Sequence, residues 1–286
     1  SFYLVNINVV TVDSGWILQK IAERICCARP DIFSLSHESR NDVDANFYID
    51  VQNCYKGKTR TLDIGFFTHL HEDSTDFLNP YWLQLDYIVH MCSRYYQMFS
   101  PYYPKEKMSV MMPGEYCENF KPKKQTIGIF QRGMHEGKGF HFMKTMANKE
   151  ILKKFKFLFV GKDWGEVIDL FEEKGIEVDF EEDEVYEKYP DLYAKIDYLL
   201  IPSLWEAGPM STIEAFSCGI PIISSYVGWM GIDLKPDFIY NANADIELES
   251  IFHNIFNKIR SRVDQVKDLS YKNYSNKIIE IVEKIK

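Results

Sequence analysis

Two glutamates flank the start of a predicted helix, and their spacing is the feature of this sequence that most directly indicates chemistry. Glu206 and Glu214 are separated by seven residues within the stretch PSLWEAGPMSTIEAFSCGIP. The short apolar run at 197–201 just before it predicts a buried strand that ends in a loop. Because proline suits the first position of a helix, Pro209 leads us to predict a helix over 210–217.

The start of this helix would form an anion site. Backbone N–H groups around Gly208, Met210 and Ser211 and the positive end of the helix dipole would face the carboxyl edge of a parallel sheet. Open α/β sheets bind their ligands at that edge. Carboxylates accept hydrogen bonds from hydroxyls, so Glu206 on the loop and Glu214 one turn into the helix suit a ligand with diols on both sides of a phosphate. A sugar, a diphosphate and a ribose together fit that description.

This stretch resembles the E-x7-E signature of the family 4 retaining glycosyltransferases, which have the GT-B fold. Besides the two glutamates, the resemblance is carried by Pro-Ser before Glu206, Gly-Pro-Met after it and Gly-Ile-Pro after Glu214. It implies that Glu206 contacts hydroxyls of the transferred sugar and that Glu214 binds the ribose. Residues 208–211 at the helix start are our further donor-binding candidates. The family often has glycine where this chain has Pro209, so one N–H donor available to the phosphate there is absent here.

A glycine-rich loop after a predicted strand at 126–130 should bring positive charge to the same place. It resembles the family's Gly-Arg-x-x-x-Lys-Gly segment, which implies that Arg132 and Lys138 clamp the diphosphate beside Gly133. Two fixed cations can stabilise a departing nucleoside diphosphate without a metal. A Walker P-loop fits poorly because three residues, not four, separate Gly133 from Gly137 and glycine follows the lysine. A solvated loop with two ordinary surface cations is the other interpretation.

Gly15 and His69 in the first half of the chain are further candidates. Gly15 follows a predicted strand and opens a helix, so its N–H could approach the phosphate, although a plain turn also explains it. His69 matches the family's Thr-x-His, which implies contact with the donor sugar. His69 and His71, with Glu72 and Asp73 nearby, have a spacing that could share a metal. Because Arg, Lys and helix ends compensate charge in such sites, we expect no metal and no cofactor besides the nucleoside-diphosphate sugar substrate.

Length and patterning predict an α/β fold with two Rossmann-like domains that face each other across a cleft. A chain of 286 residues with 46% apolar residues can fill two cores. We expect a shortened acceptor-side domain over 1–122 and a nucleotide-sugar donor domain over 123–270. By the resemblance, a C-terminal helix over 271–286 crosses back to pack on the first domain.

The apolar periodicity predicts elements that alternate between strands and helices, as α/β folds require. The predicted strands are 2–10, 31–36, 47–51, 62–68, 87–91, 108–112, 126–130, 157–161, 177–180, 198–201 and 221–224. The predicted helices include 16–28, 142–153, 210–217, 246–263 and 274–285.

The expected activity is transfer of a sugar from a nucleoside-diphosphate sugar to a hydroxyl of a glycan, a lipid-linked acceptor or a small molecule. No carboxylate at a matched position can be assigned as a nucleophile behind the anomeric carbon, so a double displacement lacks its residue. We therefore expect front-face attack with retention of the anomeric configuration. A non-catalytic nucleotide-sugar-binding module and a GT-B sugar epimerase are the alternatives.

Charge and cysteine content restrict the partners and the compartment. The formal net charge is −9, with no basic stripe for nucleic acid and no Lys/Arg cluster for strong binding to an anionic membrane. Six cysteines without a C-x-x-C spacing are typical of free thiols in a reducing compartment. The sequence has no apolar run of membrane-spanning length and no signal sequence, which predicts a cytoplasmic enzyme. The donor base, the acceptor and the oligomeric state stay open.

Overall fold

The chain forms two compact units, residues 1–119 with 264–286 and residues 120–263. The structure, a computed structural model, describes residues 5–12, 15–68, 79–117, 119–135, 137–182 and 184–286. Each unit contains a parallel sheet with flanking helices, so the prediction of an α/β fold with two Rossmann-like units is confirmed.

The first unit is built from short strands joined by helices and turns. Its elements in chain order are β1 (Ile7–Val10), α1 (Ile17–Ala28), β2 (Phe33–Ser36), β3 (Ala45–Tyr48), α2 (Val51–Cys54), β4 (Leu62–Phe67), β5 (Tyr87–His90), α3 (Ser93–Phe99) and β6 (Met108–Val110). Within the described residues, the six strands are all parallel in the order β2-β1-β3-β4-β5-β6.

The second unit repeats this architecture. Its elements are β7 (Thr126–Phe130), α4 (Phe140–Met146), β8 (Lys156–Val160), α5 (Gly165–Glu173), β9 (Glu177–Glu181), α6 (Tyr189–Tyr193), β10 (Tyr198–Ile201), α7 (Met210–Ser217), β11 (Ile222–Ser225), β12 (Phe238–Tyr240) and α8 (Asp245–Asp264). The strand order in this part of the described chain is β12-β11-β10-β7-β8-β9. The chain runs outward from β7 through β8 to β9, then restarts at β10 on the other side, so the order reverses between β7 and β10.

The two faces of the second sheet are covered by different helices. Alternate residues of β7 and β8 point to opposite faces, as the period of a strand requires. One face packs on α4, α5 and α8, and the other packs on α6 and α7. Strand β7 is therefore buried on both faces, which explains its uninterrupted apolar run around Gly128.

The C-terminal helix α9 (Tyr271–Ile285) belongs to the first unit. It packs on α1, where the Ser275 hydroxyl donates a hydrogen bond to the Ile25 carbonyl at 3.1 Å. Its buried side chains, including Ile278 and Val282, join the core of that unit. The expected return of the last helix to the first half is confirmed.

Two local predictions were wrong. Residue 51, predicted as the end of a strand, begins helix α2, because the Asp50 side chain caps that helix and accepts a hydrogen bond from the Asn53 amide N–H. The helix predicted over 142–153 ends instead at Met146, and a separate 3-10 turn follows at Glu150–Lys154. Between the two, the Lys149 ammonium turns away to pair with carboxylates of α8.

None of the helices in the described residues combines the length and the apolar character that a membrane span requires.

Candidate functional site

The reversal of strand order between β7 and β10 marks the candidate site. The loop at 131–139 leaves β7 towards α4, and the loop at 202–209 leaves the neighbouring β10 towards α7. The two loops lead to helices on opposite faces of the sheet, so they diverge from each other at its carboxyl edge. Ligands of open α/β sheets bind at such a switch point. The glycine-rich motif lies on the first loop, and the E-x7-E motif lies on the second loop and the start of α7.

Hydrogen bonds fix the two loops to each other. The Leu204 N–H donates to the Gly137 carbonyl at 2.7 Å. The Gln131 side chain donates to the Lys138 carbonyl at 2.6 Å and accepts from the Ser203 hydroxyl at 3.2 Å. Gln131 and Ser203 therefore set the path of the glycine-rich loop, and sequence reasoning missed both roles. Their positions directly after the ends of β7 and β10 are the signal that could have identified them.

Lys138 and Glu206 form an ion pair between the two loops. The Lys138 Nζ contacts Oε2 of Glu206, and their side chains are only 26% and 16% exposed. These two residues come from different motifs and are 68 positions apart in the sequence. The structure thus brings together the cation predicted for the diphosphate and the carboxylate predicted for the sugar.

Arg132 and Gly133, also in the glycine-rich loop, contact the loop that follows β8. The Arg132 Nε lies 3.7 Å from Oδ2 of Asp163, and both side chains are largely exposed. The Gly133 N–H donates to the Lys162 carbonyl at 2.8 Å. A Cβ at position 133 would lie 2.3 Å from the Asp163 carbonyl oxygen, so this close approach requires glycine. The N–H of Gly133, which was predicted to lie at the donor site, is therefore engaged within the chain.

Helix α7 begins at Met210, as predicted from Pro209. Pro209 has an extended conformation, and its carbonyl accepts from the Thr212 N–H at 3.0 Å and from the Thr212 hydroxyl at 2.6 Å. As in any α-helix, the first two N–H groups, here those of Met210 and Ser211, have no residue three or four positions earlier in the helix to accept their hydrogen bonds. Met210 is 64% exposed and Ser211 is buried at this start.

Gly208 is held by a tryptophan from the loop after β11. A Cβ at Gly208 would lie 2.5 Å from the Trp229 ring, and the indole N–H of Trp229 donates to the Thr212 hydroxyl at 3.1 Å. The loop that carries Glu206 is therefore packed against this indole and anchored to the first turn of α7. Any larger residue at position 208 would push this loop away from the Trp229 indole.

Glu214 lies one turn into α7, and two tyrosines hold its carboxylate. The Tyr193 hydroxyl donates to Oε2 at 2.6 Å, and the Tyr186 hydroxyl donates to Oε1 at 2.8 Å. Tyr193 is buried, and burial together with this hydrogen bond raises its pKa. Tyr186 is 66% exposed, and its pKa is raised chiefly by the hydrogen bond to Glu214. Sequence reasoning missed both tyrosines.

The two candidates from the first half of the chain belong to the first unit of the sequence, and the structure describes only Gly15. Gly15 has a left-handed φ of +64°, and its N–H donates to Oε1 of Gln19 at 2.8 Å. His69 lies outside the described residues, as does His71 of the metal alternative. The roles of Gly15 and His69 and the expectation of no metal stay predictions.

Part of the second unit matches a family of known proteins. Residues 124–241 match a family model described as glycosyl transferases group 1, and this segment contains both loops of the candidate site. The match covers the second unit from β7 to β12.

Individual proteins resemble this chain only over a short segment or at low sequence identity. The chain is 33% identical over 90 residues to the Escherichia coli UDP-Gal:alpha-D-GlcNAc-diphosphoundecaprenol alpha-1,3-galactosyltransferase. The aligned segment covers 32% of this chain and 22% of that enzyme. The lipopolysaccharide outer core galactosyltransferase WaaB is 16% identical with a TM-score of 0.39, covering 97% of this chain and 99% of WaaB. Anabaena HepE in complex with UDP and glucose is 12% identical with a TM-score of 0.41, covering 99% of this chain and 98% of HepE. The family match and the sequence relative support a glycosyltransferase.

Proposed function

We propose that this protein is a retaining glycosyltransferase of the family 4 type that moves a sugar from a nucleoside-diphosphate sugar to a hydroxyl of a carbohydrate or other acceptor. The observation that carries the proposal is the Lys138–Glu206 ion pair at the switch point between β7 and β10. This pair joins the cation of one motif to the first glutamate of the other, beside the start of α7. A cation and a helix start suit a diphosphate, and a carboxylate suits sugar hydroxyls.

The proposed roles divide the ligand along the carboxyl edge of the sheet. Lys138 and Arg132 bind the diphosphate together with the α7 start at residues 208–211, and Glu206 contacts the transferred sugar. Glu214 accepts hydrogen bonds from the ribose. Such a ligand must exchange some of the internal contacts, because a phosphate that takes up Lys138 frees Glu206 for hydroxyls.

Three residues have supporting roles in this proposal. His69 contacts the donor sugar, and the N–H groups of Gly15 and Gly133 approach the phosphates. Both glycine amides now donate to partners within the chain, so they would reach a phosphate only after a local rearrangement.

The proposed mechanism is front-face transfer without a metal. The acceptor hydroxyl attacks the face of the anomeric carbon from which the diphosphate departs, and a phosphate oxygen takes its proton. Lys138, Arg132 and the α7 start lower the barrier because they bind the leaving group more tightly as its negative charge grows. The product should keep the anomeric configuration of the donor, and proton NMR of the product checks this.

Uridine diphosphate sugars are the first donors to test, because the E. coli relative is named as a UDP-Gal enzyme. The acceptor class does not follow from this relative. A non-catalytic nucleotide-sugar-binding module or an epimerase would share the site but would not release nucleoside diphosphate during turnover.

The deciding experiment measures release of UDP from UDP-galactose and UDP-glucose by the purified protein, with and without simple saccharide acceptors. Glu206→Ala and Lys138→Ala should abolish the release. Glu150→Ala and Lys153→Ala are the matched controls, since these residues form an exposed ion pair in the same unit at 2.8 Å. Tight donor binding without UDP release would favour the binding module, and loss of activity in the control variants would remove the support for the assigned residues.

A further inference from the structure

We propose that a pocket beside Trp205 is the subsite for the transferred sugar ring and that its lining selects the hexose, an inference that rests on the proposed function. The pocket has a volume of about 510 Å³ and lies at the carboxyl edge of the second sheet. Its lining residues include Met134, His135, Phe140, His141, Glu166 and Trp205. Neither sequence motif assigned a role to any of these six.

Trp205 supplies an apolar platform. The Gly137 backbone lies against one side of its indole, since a Cβ at position 137 would come within 2.5 Å of the ring. Trp205 is nevertheless 57% exposed, and it lines the pocket. A pyranose ring has an apolar face of C–H groups that packs on an aromatic ring, and an amphipathic indole suits such a half-polar ligand. Met134, which is 64% exposed, adds apolar surface beside it.

Three polar side chains complete the lining. His135 and His141 come from the glycine-rich loop and the first turn of α4, and Glu166 comes from the first turn of α5. Glu166 accepts from the Lys144 ammonium at 3.0 Å, which orients its carboxylate. Imidazole and carboxylate groups on a partly apolar wall are the usual composition of a small-molecule site in which a few polar groups set specificity.

The order of groups along a nucleotide sugar fits this position. Glu214 and its tyrosines lie with the helices on one face of the sheet, whereas α4 and α5 cover the other face. The paired residues Lys138 and Glu206 directly follow Gly137 and Trp205, and both of these line the pocket. The pair is therefore next to the pocket along both loops. A ligand whose ribose is at Glu214 and whose diphosphate is at Lys138 therefore directs its sugar to the Trp205 side.

Calorimetric titration of UDP and of UDP-galactose separates this subsite from the rest of the site, with GDP and GDP-mannose run in parallel. Trp205→Ala should lower the affinity for the nucleotide sugar by about tenfold, equivalent to about 1.4 kcal/mol. It should leave the affinity for the plain nucleoside diphosphate unchanged within twofold. Trp205→Phe keeps an aromatic platform and should recover most of the lost affinity. Ile246→Ala, an exposed apolar residue in the same unit, should change neither affinity.

Other outcomes overturn the proposal. If Trp205→Ala lowers the affinities for the nucleoside diphosphate and the nucleotide sugar equally, or changes neither, the sugar does not contact this pocket. The proposed function is unaffected by that result. If the unmodified protein binds none of the four nucleotides, the proposed function fails and the pocket assignment fails with it. Thermal unfolding of each variant should show that the loop substitution leaves the fold intact.

Discussion

Lys138 and Glu206 neutralise each other in a partly buried setting, and this has a consequence for stability as well as for ligand binding. Removing one partner leaves the other charge without compensation. Lys138→Met or Glu206→Gln alone should lower the free energy of unfolding by roughly 1 to 3 kcal/mol. The double variant should lose clearly less than the sum of the two, because the cost of the unpaired charge disappears.

Urea unfolding of the four proteins in this cycle measures the coupling energy. The Glu150–Lys153 pair is the control, since its side chains are 83% and 39% exposed and exposed pairs contribute roughly 0 to 1 kcal/mol. Strict additivity at Lys138 and Glu206 would show that the two side chains do not interact in solution.

Tyr193 and Tyr186 make the same kind of bond to Glu214 but should differ in effect. Tyr193→Phe removes a charge-assisted hydrogen bond from a buried phenol, which should cost roughly 1.5 to 3 kcal/mol of unfolding free energy and weaken nucleotide binding. Tyr186 is exposed and shares Glu214 with the expected ribose, so Tyr186→Phe should leave stability unchanged and strengthen nucleotide binding a few-fold. Calorimetry with UDP and urea unfolding measure both, and equal effects of the two substitutions would contradict this division.

Buried His90 makes stability depend on pH. Its ring packs against Phe67 and Phe99, its Nδ1 has no hydrogen-bond partner among the described residues, and burial lowers its pKa from 6.5 to about 4. The unfolded chain therefore takes up a proton below about pH 6.5 while the folded chain does so only near pH 4, so stability falls as the pH drops through this window. The loss at the lower end is roughly 3 kcal/mol.

Replacing His90 by leucine tests this. The unfolding free energy of His90→Leu should fall less between pH 6.5 and 4 than that of the unmodified protein, because the protonation term is absent. Identical slopes in the two proteins would show that another group is responsible.

At the level of elements, strands and helices with strong local signals were predicted to the residue. β7, β10 and α7 match their predicted bounds, since each has an uninterrupted apolar run or a proline that fixes its start. Strand β12 was missed because three residues are too few to show a period. The sequence could also identify Glu206 and Lys138 through their motifs, but not their pairing or the tyrosines that hold Glu214, because these depend on tertiary packing.

The glycine-rich loop tests the link between an element and the site. Gly139 precedes α4 with a φ of +84°, and a Cβ there would lie 2.1 Å from the Pro202 carbonyl oxygen. Gly139→Ala must therefore push the two site loops apart and separate Lys138 from Glu206. We expect a loss of roughly 3 kcal/mol or more in unfolding free energy, from left-handed strain and the clash together, and loss of UDP release.

Gly219→Ala is the matched control. Gly219 has a similar φ of +70°, but nothing lies within 4 Å of a Cβ at that position. Its substitution should cost only the left-handed strain of about 1 to 2 kcal/mol and keep activity. If both variants lose the same stability, the contact with the Pro202 carbonyl does not fix the loop.

At the scale of the whole molecule, the first unit is completed by the far end of the chain. Ser275 and Lys286 bond to Ile25 and Asp44, 250 and 242 positions away. The amphipathic pattern of the last helix could be predicted from sequence, because its apolar residues recur at helical spacing. The surface on which it packs followed only from the family resemblance, since periodicity says which face is buried but not against what.

This return of the chain predicts which unit responds to changes in α9. Ile278 is fully buried in the core cluster of the first unit, together with Val9 of β1 and Phe66 of β4. Ile278→Ala leaves a cavity there and should cost roughly 2 to 5 kcal/mol. Differential scanning calorimetry should show the transition of the first unit moving to lower temperature while that of the second unit stays in place. Lys277→Ala, at an exposed position one residue earlier on the same helix, should move neither transition. The core clusters of the second unit contain no residue of α9. A shift of the second transition alone would therefore contradict the assignment of this helix to the first unit.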